Sequence, residues 1–252
     1  MSEPIERLAG GNVAGEVLKI GSVVHKPATA ATPAVAALLR HLEHVGCVAA
    51  PRWLGLDDEG RQMIEYVDGP LADTRPIMDQ AGLRRLGSII RDLHDALALF
   101  RPPPDARWDV VIPPDREDLI CHHDLAPWNL VLGEDRWVFI DWDGAGPASR
   151  LWDLGYAAHG FVPLHAGGDP AVDGPRLQAL AEGYGLDPDQ RAALVRAAAG
   201  HTRGMYDLLV RGARDAVQPW ARLYAEGHAE HWGPAATYIE QNADLLAGPF
   251  PD

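Results

Sequence analysis

The sequence predicts an α+β protein with two lobes, a small β-rich lobe at the N-terminus and a mainly helical lobe after it. Up to residue 69, short β-favouring segments alternate with glycines, prolines and polar residues. Beyond that point, apolar residues recur at the spacing of an amphipathic helix. Two short apolar runs in the second lobe flank a polar, glycine-containing turn, which indicates a β-hairpin. We therefore divide the chain into lobes of residues 1–69 and 70–252.

The composition favours a soluble enzyme over a membrane or nucleic-acid-binding protein. The 252 residues contain no apolar run long enough to cross a bilayer and no N-terminal signal pattern. The formal charge of −14 is the opposite of the basic surface that nucleic acids require, and it favours a cationic small substrate. The alternative explanation of the same charge is that an acidic surface only aids solubility. Two cysteines, Cys47 and Cys121, fit a reducing cytoplasm, where we expect a monomer or a homodimer.

The N-terminal lobe starts with possible strand segments around a glycine turn. This turn, within residues 8–20, contains Gly11 and Asn12. Glycine lets backbone N–H groups approach a phosphate closely, although Gly-Gly-Asn is also typical of a plain hairpin turn. Residues 22–27 predict a further short strand that carries Lys26 near its end.

A helix and a last strand complete this lobe. The helix begins at Thr32-Pro33, with Thr32 as the N-cap and Pro33 at the first helical position. Residues 62–70 alternate between apolar and polar side chains and then break at Gly-Pro, which predicts a strand that ends in a turn.

The second lobe begins with a long helix. Its apolar stripe comprises Leu83, Leu86, Ile90, Leu93 and Leu97. Residues 101–118 are rich in proline and aspartate, so they predict a surface loop. The sequence Asp-Pro-Asp-Gln at 187–190 is a good capping sequence for a later helix.

Residues 122–143 carry the strongest functional signal. Asn129 precedes the first strand of the predicted hairpin, and Asp141 follows the second strand. Because the strands are antiparallel, these two residues meet at one end of the hairpin, and Asp124 in the preceding loop reaches the same place. Carboxylate and amide oxygens suit Mg²⁺, and the remaining carboxylate can accept a proton from a hydroxyl nucleophile. This is the arrangement that phosphoryl transfer needs.

Residues 122–129 resemble the His-x-Asp-x-x-x-x-Asn catalytic loop of aminoglycoside phosphotransferases and related small-molecule kinases. The Ile-Asp-Trp-Asp sequence at 140–143 resembles their metal-binding segment. The resemblance implies a protein-kinase-like fold, with Asp124 as the catalytic base and Asn129 and Asp141 as Mg²⁺ ligands. Ordinary polar residues at strand ends are the alternative. The short N-terminal lobe is most similar to compact bacterial members of the family, some of them immunity or resistance proteins.

The same resemblance implies a nucleotide site for ATP or GTP. Gly11 and Asn12 would lie in the turn that covers the phosphates. Lys26 would contact the α- and β-phosphates, with Lys19 as the competing candidate. The strand at 62–70 is similar to the family's hinge, where backbone groups near Glu65 and Val67 would hold the base.

The helix at Thr32 departs from the family pattern. Relatives carry a glutamate near its start that pairs with the strand lysine, whereas this chain has alanines and a valine there, and Glu43 lies about two turns later. The resemblance also implies that His122 braces the catalytic loop, that His94 is a structural hydrogen bonder and not a proton shuttle, and that Asp153 has a structural role.

The sequence therefore predicts a small-molecule kinase. It would transfer the γ-phosphoryl of ATP or GTP to a hydroxyl of a small acceptor, for instance a cationic one such as an aminoglycoside or an amino alcohol. The alternative is a non-catalytic pseudokinase that acts as a binding or immunity protein, which the missing glutamate favours. Acidic and aromatic residues of the last helices either line the acceptor pocket or belong to a solvated face; they include Tyr206, Asp207, Glu226, Glu230 and Trp232.

Overall fold

The computed structural model describes residues 4–8 and 16–248. An antiparallel sheet of five strands occupies the N-terminal part, in the order β1-β2-β3-β5-β4. The strands are β1 (Ile5–Leu8), β2 (Val17–Ile20), β3 (Val23–Lys26), β4 (Trp53–Leu56) and β5 (Gln62–Glu65). Gly11 and Asn12 lie outside the described residues, so their proximity to a nucleotide stays a prediction.

Helix α1 (Thr32–His44) connects β3 to β4 and buries an apolar face that comprises Val35, Leu38, Leu39 and Leu42. The prediction that Thr32 is the N-cap is wrong. Ala31 occupies that position, and the Thr32 hydroxyl accepts the Thr29 N–H at 2.8 Å. The hydroxyl is thus engaged by the turn before the helix instead of capping the helix.

Helix α2 (Gln80–Leu97) follows, and its predicted leucine and isoleucine stripe is buried. Residues 101–118 form no helix or strand, as predicted. Four short strands come next: β6 (Leu119–Cys121), β7 (Leu130–Leu132), β8 (Trp137–Phe139) and β9 (Gly146–Ala148). Strands β7 and β8 form the predicted antiparallel hairpin, while β6 pairs with β9.

The described residues after β9 are mainly helical, from α3 to α8. These helices are α3 (Arg150–Phe161), α4 (Pro170–Tyr184), α5 (Pro188–Arg214), α6 (Trp220–Ala225), α7 (His228–Gln241) and α8 (Ala243–Ala247). Asp187 and Gln190 form the predicted capping box of α5. Among the described residues, no helix is both long and apolar enough to cross a lipid bilayer.

One large hydrophobic core connects α1 with α2 and continues into α3, α4 and α8. Helices α2 and α4 lie so close together that a Cβ atom on Gly183 would be 2.0 Å from the Arg84 carbonyl oxygen. The hydrophobic core therefore packs against the β7–β8 hairpin and against the loop that precedes it. The lobe boundary at residue 69 stays a prediction.

Candidate active site

The β7–β8 hairpin brings the predicted polar residues to one of its ends. The Ile140 N–H donates to the Asn129 carbonyl oxygen at 2.8 Å, which closes this end of the hairpin. The Asn129 side-chain amide donates to Asp124 twice, to the carboxylate Oδ2 at 2.7 Å and to the backbone oxygen at 3.0 Å. Asp141 directly follows Ile140. The structure thus gathers Asp124, Asn129 and Asp141 in one place.

Asp141 adopts a left-handed backbone conformation, with φ 64° and ψ 65°. A residue other than glycine in this region costs roughly 1–3 kcal/mol and persists only where its surroundings enforce it, and aspartate and asparagine tolerate it best. The next residue supplies that support, because the buried Trp142 ring donates its Nε1–H to the Phe139 carbonyl oxygen at 2.8 Å. The conformation ends the hairpin and starts a single helical turn at Trp142–Gly144.

Lys26 lies against two carboxylates of this segment. Its Nζ is 3.1 Å from Asp141 Oδ1 and 2.9 Å from Asp143 Oδ2, and the residue is only 6% exposed. Burial disfavours the charged amine, but the two carboxylates outweigh that effect and raise the pKa of Lys26 above its ordinary value. Gln62 completes the group, because its Nε2 donates to Asp143 at 3.3 Å and to the Pro27 carbonyl oxygen at 2.9 Å.

The first turn of α1 contains no acidic residue, so Lys26 is paired with Asp141 and Asp143 and not with that helix. The sequence analysis gave Asp143 no role of its own, although it is the second aspartate of the Ile-Asp-Trp-Asp segment. Lys19 lies elsewhere, with its Nζ 3.8 Å from the Tyr66 ring centroid and 3.6 Å from Glu6 Oε2.

Asp124 is partly buried beside other acidic and polar groups. Burial and the nearby charge of Asp141 raise the pKa of Asp124 to about 6, while hydrogen bonding with Tyr156, Asn129 and Trp128 acts in the opposite direction. Tyr156 belongs to α3. Burial and the Asp124 charge raise the pKa of this tyrosine well above its ordinary value, so it stays protonated and faces the carboxylate as a donor.

His122 connects the loop that carries Asp124 to the segment that carries Asp141. Its Nδ1 accepts the Asp124 N–H at 3.2 Å, and its Nε2 lies 3.0 Å from the Ile140 carbonyl oxygen. The ring must therefore carry its proton on Nε2. Burial lowers the pKa of His122 to about 4, in agreement with this neutral form. His122 thus braces both parts of the site.

Asp153 also holds in place the loop that carries His122 and His123. Its fully buried carboxylate accepts the N–H groups of His122 at 3.1 Å and His123 at 2.8 Å, and it lies 3.2 Å from His94 Nε2. Burial would raise the pKa of Asp153, but the hydrogen bond from His94 and the nearby histidines lower it to about 2.

Asp153→Asn is expected to lower the free energy of unfolding by about 2 kcal/mol at pH 6, because a pKa difference of one unit is worth about 1.4 kcal/mol. The pKa of Asp153 is lower in the folded state than in the unfolded state. The ionised carboxylate of Asp153 therefore contributes to the free energy of unfolding above about pH 4, and this contribution is lost as the pH falls towards 2. Urea unfolding of both proteins at pH 6 and pH 3 measures this. A difference that does not shrink at pH 3 would contradict the ionised state of Asp153.

The predicted hinge residues lie at the end of β5 and just after it: Glu65 is the last residue of the strand, and Val67 follows two residues later. The Glu65 carboxylate accepts from Arg136 Nη2 at 2.8 Å and from the Arg52 N–H at 3.0 Å, so its side chain links β5 to the β7–β8 turn. Val67 lies just beyond, next to a cleft lined by Asp68, Gly69, Pro70, Arg75, Leu132, Glu134 and Trp137. A contact of Glu65 or Val67 with a nucleotide base would therefore come from their backbone groups.

Known structures resemble the whole fold. A choline/ethanolamine kinase family protein from Mesorhizobium loti superimposes with a TM-score of 0.64 at 18% identity, covering 97% of this chain and 92% of that one. The amicoumacin kinase hAmiN, in complex with AMP-PNP and Ca²⁺, gives a TM-score of 0.69 at 14% identity, covering 98% and 90%. These similarities confirm the predicted two-lobed protein-kinase-like fold.

Sequence comparison identifies the family. Residues 105–194, which include the loop of Asp124 and the β7–β8 hairpin, match the model of the phosphotransferase enzyme family. The trifolitoxin immunity protein of Rhizobium leguminosarum bv. trifolii is 30% identical over 209 residues, which cover 77% of this chain and 79% of that protein. The chain therefore belongs to the phosphotransferase enzyme family, the family of the aminoglycoside phosphotransferases.

Proposed function

We propose that this protein transfers the γ-phosphoryl group of ATP or GTP to a hydroxyl group of a small molecule in the cytoplasm. The observation that carries the proposal is the convergence of Asp124, Asn129 and Asp141 at one end of the hairpin, with Lys26 beside them. Phosphoryl transfer depends mostly on positioning and on neutralising negative charge, and this group of residues can supply both.

The donor set fits a divalent cation such as Mg²⁺. Both hydrogen bonds of the Asn129 amide group use its Nδ2, which leaves Oδ1 as the atom that can bind a cation. Asp141 supplies a carboxylate oxygen, and Mg²⁺ prefers oxygen ligands. Asn129 and Asp141 would hold the ion, which neutralises charge on the phosphates when bound.

Lys26 would share its charge between the carboxylates and the phosphate oxygens of a bound nucleotide. The backbone of Glu65 and Val67 would hold the base, and the turn with Gly11 and Asn12 would cover the phosphates. Each of these roles extends the family resemblance to a residue of this chain.

Asp124 would act as the base. The acceptor oxygen forms a bond to the γ-phosphorus, its proton passes to the Asp124 carboxylate, and the bond to the bridging oxygen breaks, so that the nucleoside diphosphate leaves with the electron pair. A general base is most efficient when its pKa lies near the working pH. Burial raises the pKa of Asp124 above its ordinary value, which is the direction that this condition favours.

Lys26→Ala should weaken the binding of Mg–ATP more than Lys19→Ala does. The first substitution removes a cation held next to Asp141, whereas Lys19 packs on Tyr66. Calorimetric titration of both variants measures the difference. A larger effect of Lys19→Ala would overturn the assignment of the phosphate-binding lysine.

A second candidate function is a non-catalytic immunity protein that uses the same cleft for binding. The name of the rhizobial relative and the missing glutamate of α1 favour it. The pairing of Lys26 with Asp143 argues against it, because the lysine is held in place without that glutamate. ATP consumption in the presence of Mg²⁺ and a panel of hydroxyl compounds distinguishes the two, because only the kinase consumes ATP.

A further inference from the structure

Gln62 is a fully buried residue at the start of β5, next to the lysine of the candidate active site. In the antiparallel pairing of β3 with β5, Gln62 lies directly opposite Lys26. Directly opposite residues of two antiparallel strands have their side chains on the same face of the sheet, with Cβ atoms about 4.5–5.5 Å apart. The architecture of the sheet therefore makes Gln62 a neighbour of the lysine.

The Gln62 amide group holds both ends of the ion pair between Lys26 and Asp143. Its Nε2 donates to the Pro27 carbonyl oxygen at 2.9 Å, and Pro27 directly follows the lysine. Nε2 also donates to Asp143 Oδ1 at 3.3 Å, while Oδ2 of the same carboxylate contacts Lys26 Nζ at 2.9 Å. Both partners of Nε2 are acceptors, so a rotated amide would turn its own oxygen towards them and lose both hydrogen bonds. These contacts fix the orientation of the amide.

The amide oxygen of Gln62 has no comparable role. Oε1 is buried and has no hydrogen-bond partner among the described residues. A buried polar atom without a partner is destabilising, and an apolar side chain at the same position would avoid that cost. Ile64, two residues later on the same face of β5, is such a buried apolar side chain. Packing alone does not explain a glutamine at position 62, whereas the contacts of Nε2 do.

Asp143 becomes the main partner of Lys26 once a nucleotide and a metal ion are bound. In that state Asp141 would bind the metal, so Asp143 is the carboxylate that remains for the lysine. The first turn of α1 has no acidic residue that could replace it. Within the described part of the chain, the side chains that donate to the Asp143 carboxylate are those of Lys26 and Gln62. Gln62 therefore sets the direction in which Asp143 presents Oδ2 to the lysine.

We propose that Gln62 is a positioning residue for nucleotide binding: it orients Asp143, and Asp143 in turn keeps Lys26 in place to contact the phosphates. This inference rests on the proposed phosphotransferase function. It assigns to β5 the task that the acidic residue of the first helix performs in relatives. Because Gln62 occupies Oδ1, Asp143 holds the lysine through one oxygen. Without Gln62, both oxygens of Asp143 would compete with the phosphates for the same ammonium group.

Gln62→Met tests the inference, because methionine keeps an unbranched side chain of similar length but cannot donate a hydrogen bond. The affinity for Mg–ATP should fall about tenfold. The affinity for adenosine, which has no phosphates, should change less than about twofold, whereas a general structural defect would weaken the binding of both ligands. Calorimetric titration measures the two affinities. Gln241→Met, at an exposed position of α7, is the matched control and should leave both unchanged.

A double-mutant cycle shows whether Gln62 acts through the lysine. In the Lys26→Ala protein, Gln62→Met should change the affinity for Mg–ATP less than about twofold, because the group that Gln62 positions is absent. An equal loss with and without the lysine would overturn the inference. The same holds for an unchanged affinity of Gln62→Met for Mg–ATP and for a parallel loss of adenosine binding.

If Gln62→Met does not fold, Gln62→Asn takes its place, since the shorter amide cannot reach both acceptors and should give the same selective loss of Mg–ATP binding. Phosphoryl transfer is measured separately with labelled ATP. Binding of Mg–ATP that depends on Gln62, without any transfer by the wild type, contradicts the phosphotransferase function and leaves the positioning role standing. Transfer by the wild type together with normal Mg–ATP binding by Gln62→Met contradicts only the positioning role. A wild type that does not bind Mg–ATP overturns both.

Discussion

Asp124→Asn is expected to lower kcat about 10²–10⁴-fold while the affinity for Mg–ATP stays near that of the wild type. A positioned general base contributes about this much to a rate. The substitution keeps the size of the side chain and an oxygen that can accept from Asn129 Nδ2, which now lies 2.7 Å from the carboxylate. It removes only the capacity to take the acceptor proton. Steady-state kinetics with a phosphorylated acceptor, together with calorimetry, measure the two effects.

Asp135→Asn provides the matched control, because it removes the same charge from an exposed position in the turn between β7 and β8. Its kcat should equal that of the wild type. Normal turnover of Asp124→Asn would remove Asp124 from the mechanism. A parallel loss of nucleotide affinity would assign it to binding instead of proton transfer.

Asp141→Asn should abolish the increase in ATP affinity that Mg²⁺ produces. The substitution removes the carboxylate that we assign to the metal, and a neutral amide is a weaker ligand for a hard cation. Asparagine is the appropriate replacement because φ at this position is 64°, which alanine adopts only with strain. The measurement is calorimetric titration of ATP with Mg²⁺ and with a chelator, for both proteins.

The titration with chelator is the internal control. Lys26 has a second carboxylate, that of Asp143 at 2.9 Å, so it should keep its place in Asp141→Asn. The metal-free affinity should therefore change little or rise, because the lysine then loses a competing anion. An undiminished effect of Mg²⁺ in the variant would contradict the metal assignment.

The meeting of Asp124, Asn129 and Asp141 could be predicted because it depends on local structure. A short hairpin fixes the register of its strands, so residues at the start of one and the end of the other must be neighbours. The apolar stripe of α2 and the capping box of α5 could be predicted as well, because both depend on residues that are close together in the sequence. The N-cap of α1 was predicted wrongly, because the Thr32 hydroxyl forms a hydrogen bond with the preceding turn.

The partners of Lys26 could not be predicted, because the contacts join distant parts of the chain. Gln62 and Asp143 are 81 residues apart, and Lys26 and Asp141 are 115 apart. Both contacts depend on how the N-terminal sheet sits over the hairpin, and a local pattern carries no information on that.

The most direct test of the central claim is to incubate the protein with Mg²⁺ and ATP labelled in the γ-phosphoryl group, with neutral and cationic hydroxyl compounds as acceptors. The account predicts that label moves from ATP to an acceptor hydroxyl, that removal of the divalent metal stops the transfer, and that Asp124→Asn reduces it to near background. ATP that binds with Mg²⁺ but transfers no label to any acceptor would contradict the account and favour a non-catalytic binding protein.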